Sequence, residues 1–437
     1  MEISGPPPAH STNRGSRLLH AGITFAAVFG ILGVLMLVSV APSLLVQYYV
    51  HQARLRLLDR DYSSAQNLLN RAERWQPRNG TVAFYQARIY RRLDRESEFA
   101  RYLEEAERRG FPAEQAQQEW QLWNAQQGQL ALVEPYIGKL LARPDYELPD
   151  VCEAFARGFL MTFRLADARR MFETWEQAWP SDPLLYVLRA RLWGHYQRWE
   201  EARRDLERAS SLWGSRPEVD VALAEVLIEL DQWQAAQERL EPWVHTPSWR
   251  PRVLRDLVRT SLMLDDQQAL AQWYEEWQSE GEPRGDDARL AAWALWRLGK
   301  DQEARRLLEQ FLEKWPGDVP GSELLLQIAG SASDTTQRQR LENVIERGKE
   351  LVGQLPGMQQ VAFEQPRNDA LRFEIGQILV DRQSREDGIG WLEAAVLINP
   401  HHRPAREKLI ETYRKLEKLH QAKRHQELLE AAARGAL

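Results

Sequence analysis

Nine histidines and one cysteine are the residues of this 437-residue sequence best suited to nucleophilic, acid–base or metal chemistry. They are scattered. His401 and His402 with His420 and His425 form the one cluster; the first pair is expected on a turn and the second on a late helix. We read them as a solvated end of the chain and expect no metal site. The sequence contains no CxxCH, HExxH, GxSxG or P-loop pattern. A lone cysteine, Cys152, rules out an intramolecular disulfide framework, a multi-cysteine zinc site and a cysteine-ligated iron–sulfur cluster. We therefore expect no catalytic residues and no cofactor. The net charge of −6 argues against a general nucleic-acid binder. What remains chemically conspicuous is arginine: 49 Arg stand beside only eight Lys, partly as an effect of genome composition.

These side chains must be placed by the elements around them, and the first element is apolar. Residues 1–20 form a polar tail with Pro6, Pro7 and Pro8, too poor in apolar residues to fold. No charged residue occurs from Ala21 to Val46. About 20 apolar residues span the hydrocarbon core of a bilayer, so this run predicts a retained single-pass transmembrane anchor over 21–46. It exceeds the usual apolar region of a cleaved signal peptide, and the best small-residue site, Ser39-Val40-Ala41, is followed by Pro42. Tyr48 and Tyr49 follow at interfacial depth. Arg14 and Arg17 on one side are nearly matched by Arg54, Arg56 and Arg60 on the other. A short basic tail before a first apolar segment usually stays inside, which favours an extracytoplasmic body.

Beyond residue 46 the sequence repeats itself. Ala65, Phe99, Ala168, Ala202, Ala236, Leu270, Ala304, Gly388 and Ala422 are separated by 34 residues or by longer steps that accommodate an irregular unit or an insertion. A second series lies twelve residues upstream: Ala53, Ala87, Ala156, Ala190, Ala224, Val258, Ala292, Gly376 and Ile410. A third, bulky series includes Leu69, Leu103, Phe172, Leu206, Leu240, Tyr274, Leu308 and Leu392. Pro77, Pro180, Pro316 and Pro400 close several units. This spacing predicts paired amphipathic helices joined by short turns. A small residue lets the two backbones approach, a bulky one fills the groove one turn later, and proline ends the second helix. A single hairpin cannot bury its own face, so neighbours must stack.

The pattern resembles the tetratricopeptide repeat, W-x2-L-G-x2-Y, then A-x3-F, then P. Phe373-Glu374-Ile375-Gly376-Gln377-Ile378-Leu379 followed by Gly388-x3-Leu392-x2-Ala395-x4-Pro400 carries it, as does Tyr186-x3-Ala190-x2-Trp193 followed by Ala202-x3-Leu206-x2-Ala209. In that register units begin near 46, 80, 114, 149, 183, 217, 251, 285, 369 and 403, the third irregular. The expected architecture is an all-α, right-handed superhelical solenoid of about ten helix-turn-helix units after one transmembrane helix. It comprises an array over 47–318, a divergent helical insertion over 319–368 with a loop at 355–368, and two further repeats over 369–437.

The resemblance also implies a site. First helices of this family line a concave groove, and their ninth residue points into it. Here that series reads Arg54, Arg88, Arg157, Arg191, Glu225, Arg259, Trp293, Gln377 and Glu411. Arg54, Arg88, Arg157, Arg191, Arg259 and Trp293 are thus the candidate partner-binding residues, suited to an acidic segment of a partner protein. The Asn residues of the family's carboxylate clamp are missing. Trp175, Trp243 and Trp277 fall where second helices pack on the next repeat, Trp179, Trp213 and Trp315 at the ends of second helices, and Trp199 and Trp233 at inter-helix turns; packing is expected for all of them. Cys152 falls where the family places a buried bulky residue. The functional expectation is a membrane-tethered, non-catalytic protein-interaction scaffold; the alternative is an envelope chaperone or assembly factor holding client proteins.

Overall fold

The computed structural model describes residues 41–142, 148–330 and 335–434. Among them every regular element is helical and no strand occurs. The segment 21–46 lies outside the described residues except for 41–46, which are helical. No helix of the described residues is long and apolar enough to cross a membrane.

The chain divides into two compact units, Met1–Trp120 and Gln121–Leu437. In the first, α1 (41–58) pairs with α2 (Tyr62–Trp75), and α3 (Gly80–Arg92) with α4 (Glu96–Arg108). The unit boundary falls within α5 (Ala113–Gln126). The second unit holds α6 (Ile137–Leu141) and then the pairs α7 (Leu148–Met161) with α8 (Leu165–Ala178), α9 (Pro183–His195) with α10 (Trp199–Trp213), and α11 (Pro217–Glu229) with α12 (Trp233–Leu240). It continues with α13 (Arg250–Leu264) and α14 (Gln267–Ser279), α15 (Asp286–Arg297) and α16 (Asp301–Lys314), α17 (Val319–Ala329) and α18 (Thr335–Glu364), α19 (Asp369–Arg382) and α20 (Arg385–Ile398), and α21 (Arg403–Lys415) and α22 (Leu419–Ala433).

Local chemistry sets the ends of these helices. Asn79, Asp182 and Asn368 accept hydrogen bonds from the free amides opening α3, α9 and α19, and Pro183 and Pro217 occupy first-turn positions that need no donor. The second helices α2, α8, α16 and α20 end two residues before Pro77, Pro180, Pro316 and Pro400. Between paired helices one residue adopts the left-handed conformation at the repeat spacing: Arg60, Asp94, Gly128, Phe163, Gln197, Asp231, Asp265, Gly299 and Glu417. The small residues meet as their spacing predicts. Ala53, Ala65, Ala87, Ala156, Ala168, Ala202, Ala224, Ala236, Ala292 and Ala304 are fully buried. In α19 and α20 both positions are glycine. A Cβ on Gly388 would stand 2.6 Å from Val380 N, and one on Gly376 would stand 2.9 Å from Gly388 O, so these two backbones cross in near contact. One core cluster runs from Leu122 to Ala304 without interruption, as stacking of hairpins requires.

Irregularities have local causes. After α5 the second helix of that repeat is replaced by two 3₁₀ turns, Leu130–Leu132 and Glu134–Tyr136, and the five-residue α6, because Pro135 lacks an amide donor. The Pro242 turn likewise shortens α12. The expected loop at 355–368 is a correction: α18 runs unbroken through Pro356 to Glu364. Leu355 and Ala362, on either side of the proline, are buried in one cluster with Phe163, Ile375, Leu379 and Trp391. Tertiary burial there outweighs the hydrogen bond that proline removes. Val46 and Val50 are buried in the first unit and Gln76 Nε2 donates to Ser43 Oγ at 2.9 Å, so the last residues of the uncharged run already belong to the repeat array.

Candidate interaction groove

The inner faces of the first helices of the second unit carry a dense set of charges. On α13, Arg252, Arg255 and Arg259 share one face at i, i+3 and i+7. Arg252 pairs with Glu225 of α11, and Arg259 Nη2 donates to Glu229 Oε1 of the same helix at 3.2 Å. On α7, Arg157 pairs with Glu153 at 3.0 Å. Arg191 of α9, one helix along from α7, is exposed and makes no ion pair among the described residues. Its pKa is lowered, first by the enclosing protein and then by repulsion from Arg157 and Arg252, against a smaller pull from Glu225. Asp256 is buried beside this row. Burial raises its pKa, while Arg255, Arg252 and Arg259 work in the opposite direction.

The groove is not empty. Helix α20 lies across it. At its N-terminal end Arg385 Nε donates to Asp286 Oδ1 at 2.7 Å and its Nη2 to Asp318 Oδ2 at 2.5 Å, and Glu386 faces Arg255 at 3.7 Å. Midway, Trp391 stacks on Phe163 with ring centroids 3.9 Å apart and planes 8° from parallel. His195, at the end of α9, meets the edge of the same Phe163 ring at 5.0 Å. At its C-terminal end Leu397 fills the space over Gly128, where a Cβ would stand 2.9 Å from Leu397 Cδ1. Arg372 of α19 completes the seam. Wholly buried, it donates to the carbonyls of Thr162, Ala362 and Gln365 at the open ends of α7 and α18, and to that of Asn368, the N-cap of its own helix. Burial pushes its pKa down to about 10. The second unit is therefore closed on itself, and its own α20 occupies part of the surface expected to be open.

The predicted ladder is only partly one site. Arg157, Arg191 and Arg259 belong to the second unit, where Arg157 and Arg252 act electrostatically on Arg191. Arg54 and Arg88 belong to the first unit. Arg88 is a correction: it is buried, not lining a solvated groove, and its Nε donates to Glu119 Oε2 at 3.0 Å while Arg91 Nε donates to Glu119 Oε1 at 2.7 Å. Glu119 is itself fully buried, and a carboxylate there requires such partners. Trp293 is half-buried against the large core cluster with Trp296, so much of each indole serves packing. Cys152 is buried, and desolvation pushes its thiol up to about 12, which makes it unreactive. Among the described residues no group of His, Cys, Asp or Glu could hold a metal ion. Arg252 and Arg255 were missed, although their i, i+3, i+7 relation to Arg259 is visible in the sequence. Nothing in the sequence marks Glu386 or Arg372.

Paired helices on a 34-residue period, with buried alanines at their crossings and proline at their ends, define the architecture. The array is of the tetratricopeptide-repeat type. No family model and no curated protein matches the chain. Among solved structures it is similar to pilF of Pseudomonas aeruginosa (12% identity, 66% of this chain and 99% of that one, TM-score 0.33) and to yeast Tom70 (11%, 89% and 91%, TM-score 0.33). It is also similar to IFIT1, determined as a monomeric mutant with Gppp-AAAA (15%, 89% and 90%, TM-score 0.34). The assignment of the repeat rests on this chain's own helices.

Proposed function

We propose that this protein is a non-catalytic, membrane-tethered scaffold that holds a partner protein through an acidic segment laid along Arg157, Arg191, Arg252 and Arg259. The observation that carries this reading is Arg191, exposed and without an ion pair among the described residues, set between two arginines that repel it. A partner carboxylate would relieve that repulsion and accept a charge-assisted, bidentate hydrogen bond. Each exposed pair contributes only about 0–1 kcal/mol, so affinity requires several together and declines with salt. The uncharged run from Ala21 supplies the tether, with the repeat array on the extracytoplasmic side.

The test is capture of partners from native membranes by the detergent-solubilised full-length protein. The Arg157→Gln, Arg191→Gln, Arg259→Gln triple variant should retain its helical content and lose the stoichiometric partner at low salt. Undiminished capture would place the binding surface elsewhere, and recovery of many unfolded clients would replace the scaffold with a chaperone. Reaction of an impermeant thiol reagent with a Leu419→Cys variant on intact cells tests the orientation, since Leu419 is well exposed.

A further inference from the structure

The first unit carries an unpartnered apolar patch whose position in the chain says what covers it. Leu44, Tyr48 and Leu55 of α1 are 59%, 56% and 42% exposed and stand on one face with His51, at i, i+4, i+7 and i+11. Trp75, the last residue of α2, is 52% exposed. The two helices are antiparallel, and the Gln76–Ser43 hydrogen bond at 2.9 Å sets Trp75 beside the start of α1. Leu44, Tyr48 and Trp75 therefore gather at one end of the hairpin, the end at which the uncharged run from Ala21 enters it. Arg71, Arg74 and Arg78 are exposed on the same end, and none of them makes an ion pair among the described residues. The opposite end is marked by Leu93, 40% exposed, next to Arg92, whose Nη1 donates to Leu57 O at 2.7 Å.

We propose that Leu44, Tyr48 and Trp75, with Arg71, Arg74 and Arg78 around them, form a collar that seats the first unit directly on the bilayer interface, with the indole and phenol rings at headgroup depth and the guanidinium groups on lipid phosphates. This rests on the reading of residues 21–46 as a membrane anchor. Tryptophan and tyrosine favour that depth because each joins an apolar body to a polar edge, and arginine side chains reach from apolar surroundings to phosphate. With Ser43 already bonded to the folded body, the uncharged run before it, residues 21–42, still satisfies the roughly 20 residues that a span requires. No length of chain is left over to act as a flexible linker, so the end of the hairpin that receives the span must lie where the span leaves the hydrocarbon. A solvent-facing Trp–Tyr–Leu patch at that place has a covering surface supplied by the tether itself.

The experiment uses the full-length protein reconstituted into phosphatidylcholine–phosphatidylglycerol vesicles containing a lipid-borne nitroxide quencher. Single fluorophores are attached at Trp75→Cys, Tyr48→Cys, Leu93→Cys or Gly30→Cys; the buried Cys152 does not compete for reagent. The collar predicts several-fold stronger quenching at residues 48 and 75 than at residue 93, and strong quenching at residue 30. Quenching at residue 30 with residues 48 and 75 no more quenched than 93 would overturn the collar and leave the anchor standing. Silence at residue 30 as well would overturn both. Quenching of residue 75 by a nitroxide on a second copy of the protein, and not by lipid, would assign the patch to self-association and overturn the collar.

Discussion

His195 shows how a single side chain in the groove couples pH to stability. Its ring meets the edge of Phe163 and lies near Arg191; burial first, and that arginine second, lower its pKa to about 4 from an ordinary 6.5. The folded state therefore prefers the neutral ring. The unfolded chain takes up a proton as pH falls below about 6.5, whereas the folded protein resists until about 4, so this residue withdraws stability across that window on acidification. The full shift corresponds to roughly 3 kcal/mol, less where part of the ring sees solvent. Urea unfolding of wild type and His195→Gln at pH 7 and pH 4.5 tests it: the wild type should lose more stability than the variant on acidification, and parallel losses would refute the assignment. Asp287 acts in the opposite sense. Burial and the neighbouring Asp286, Glu386 and Asp256 raise it to about 6 despite Arg255, so its contribution to stability improves as pH falls from about 6 toward 4. The His195 comparison must accordingly be made between variants at each pH and not read from the wild-type profile alone.

The helical hairpin is the next scale, and its glycines separate two roles. Gly388 and Gly376 exist because α19 and α20 touch backbone to backbone. Alanine at Gly388, the residue that most other repeats carry at this position, should force the helices apart and cost about 1–3 kcal/mol. Gly353 and Gly357 in α18 face open space. Alanine at either should instead stabilise by about 0.5–1 kcal/mol, because glycine in a helix interior loses more backbone entropy on folding. Chemical unfolding of the three variants checks both signs at once; a neutral Gly388→Ala would mean that the α19–α20 crossing is looser than described. The long α18 illustrates why helix-breaking residues mislead. Pro356-Gly357 reads as a turn from local chemistry, yet Leu355 and Ala362 are held in the same core across it.

Closure of the second unit is a property of the whole chain segment from Gln121 onward. The Phe163–Trp391 stack joins residues more than two hundred positions apart, and Phe163 holds a left-handed backbone conformation (φ 53°) that a bulky side chain adopts only under constraint. Trp391 is 3% exposed, and Trp391→Ala should cost about 3–5 kcal/mol. If α20 closes the unit, amide exchange should accelerate on both sides of the seam, around 128–164 as well as around 366–399. Faster exchange confined to α20 would show that the groove keeps its form without it. The same closure restricts the surface available to a partner. Arg255 already faces Glu386, and Arg157, Arg252 and Arg259 pair with Glu153, Glu225 and Glu229, so Arg191 is the member of the row that a partner carboxylate would meet without displacing an internal one.

What the sequence by itself determined follows from short-range requirements. Alanine or glycine recurs at 34-residue spacing because only a small side chain lets two helices approach, and the proline closures recur because proline cannot extend a helix. Both constraints act within one hairpin, so they are legible without knowing what the hairpin packs against. The recurrence of Arg157, Arg191 and Arg259 at one register position was legible for the same reason. The burial of Arg88 on Glu119, the capping of α7 and α18 by Arg372, and the entry of α20 into the groove were not, because each depends on a partner brought close only by the stacked array. Whether an arginine at a given register position faces water, a carboxylate or a helix end is decided by that distant partner, and no local spacing encodes it. The uncharged run from Ala21 was plain in the sequence; that its Ser43 is tied to the other helix of the hairpin was not, because the bond comes from a residue 33 positions away.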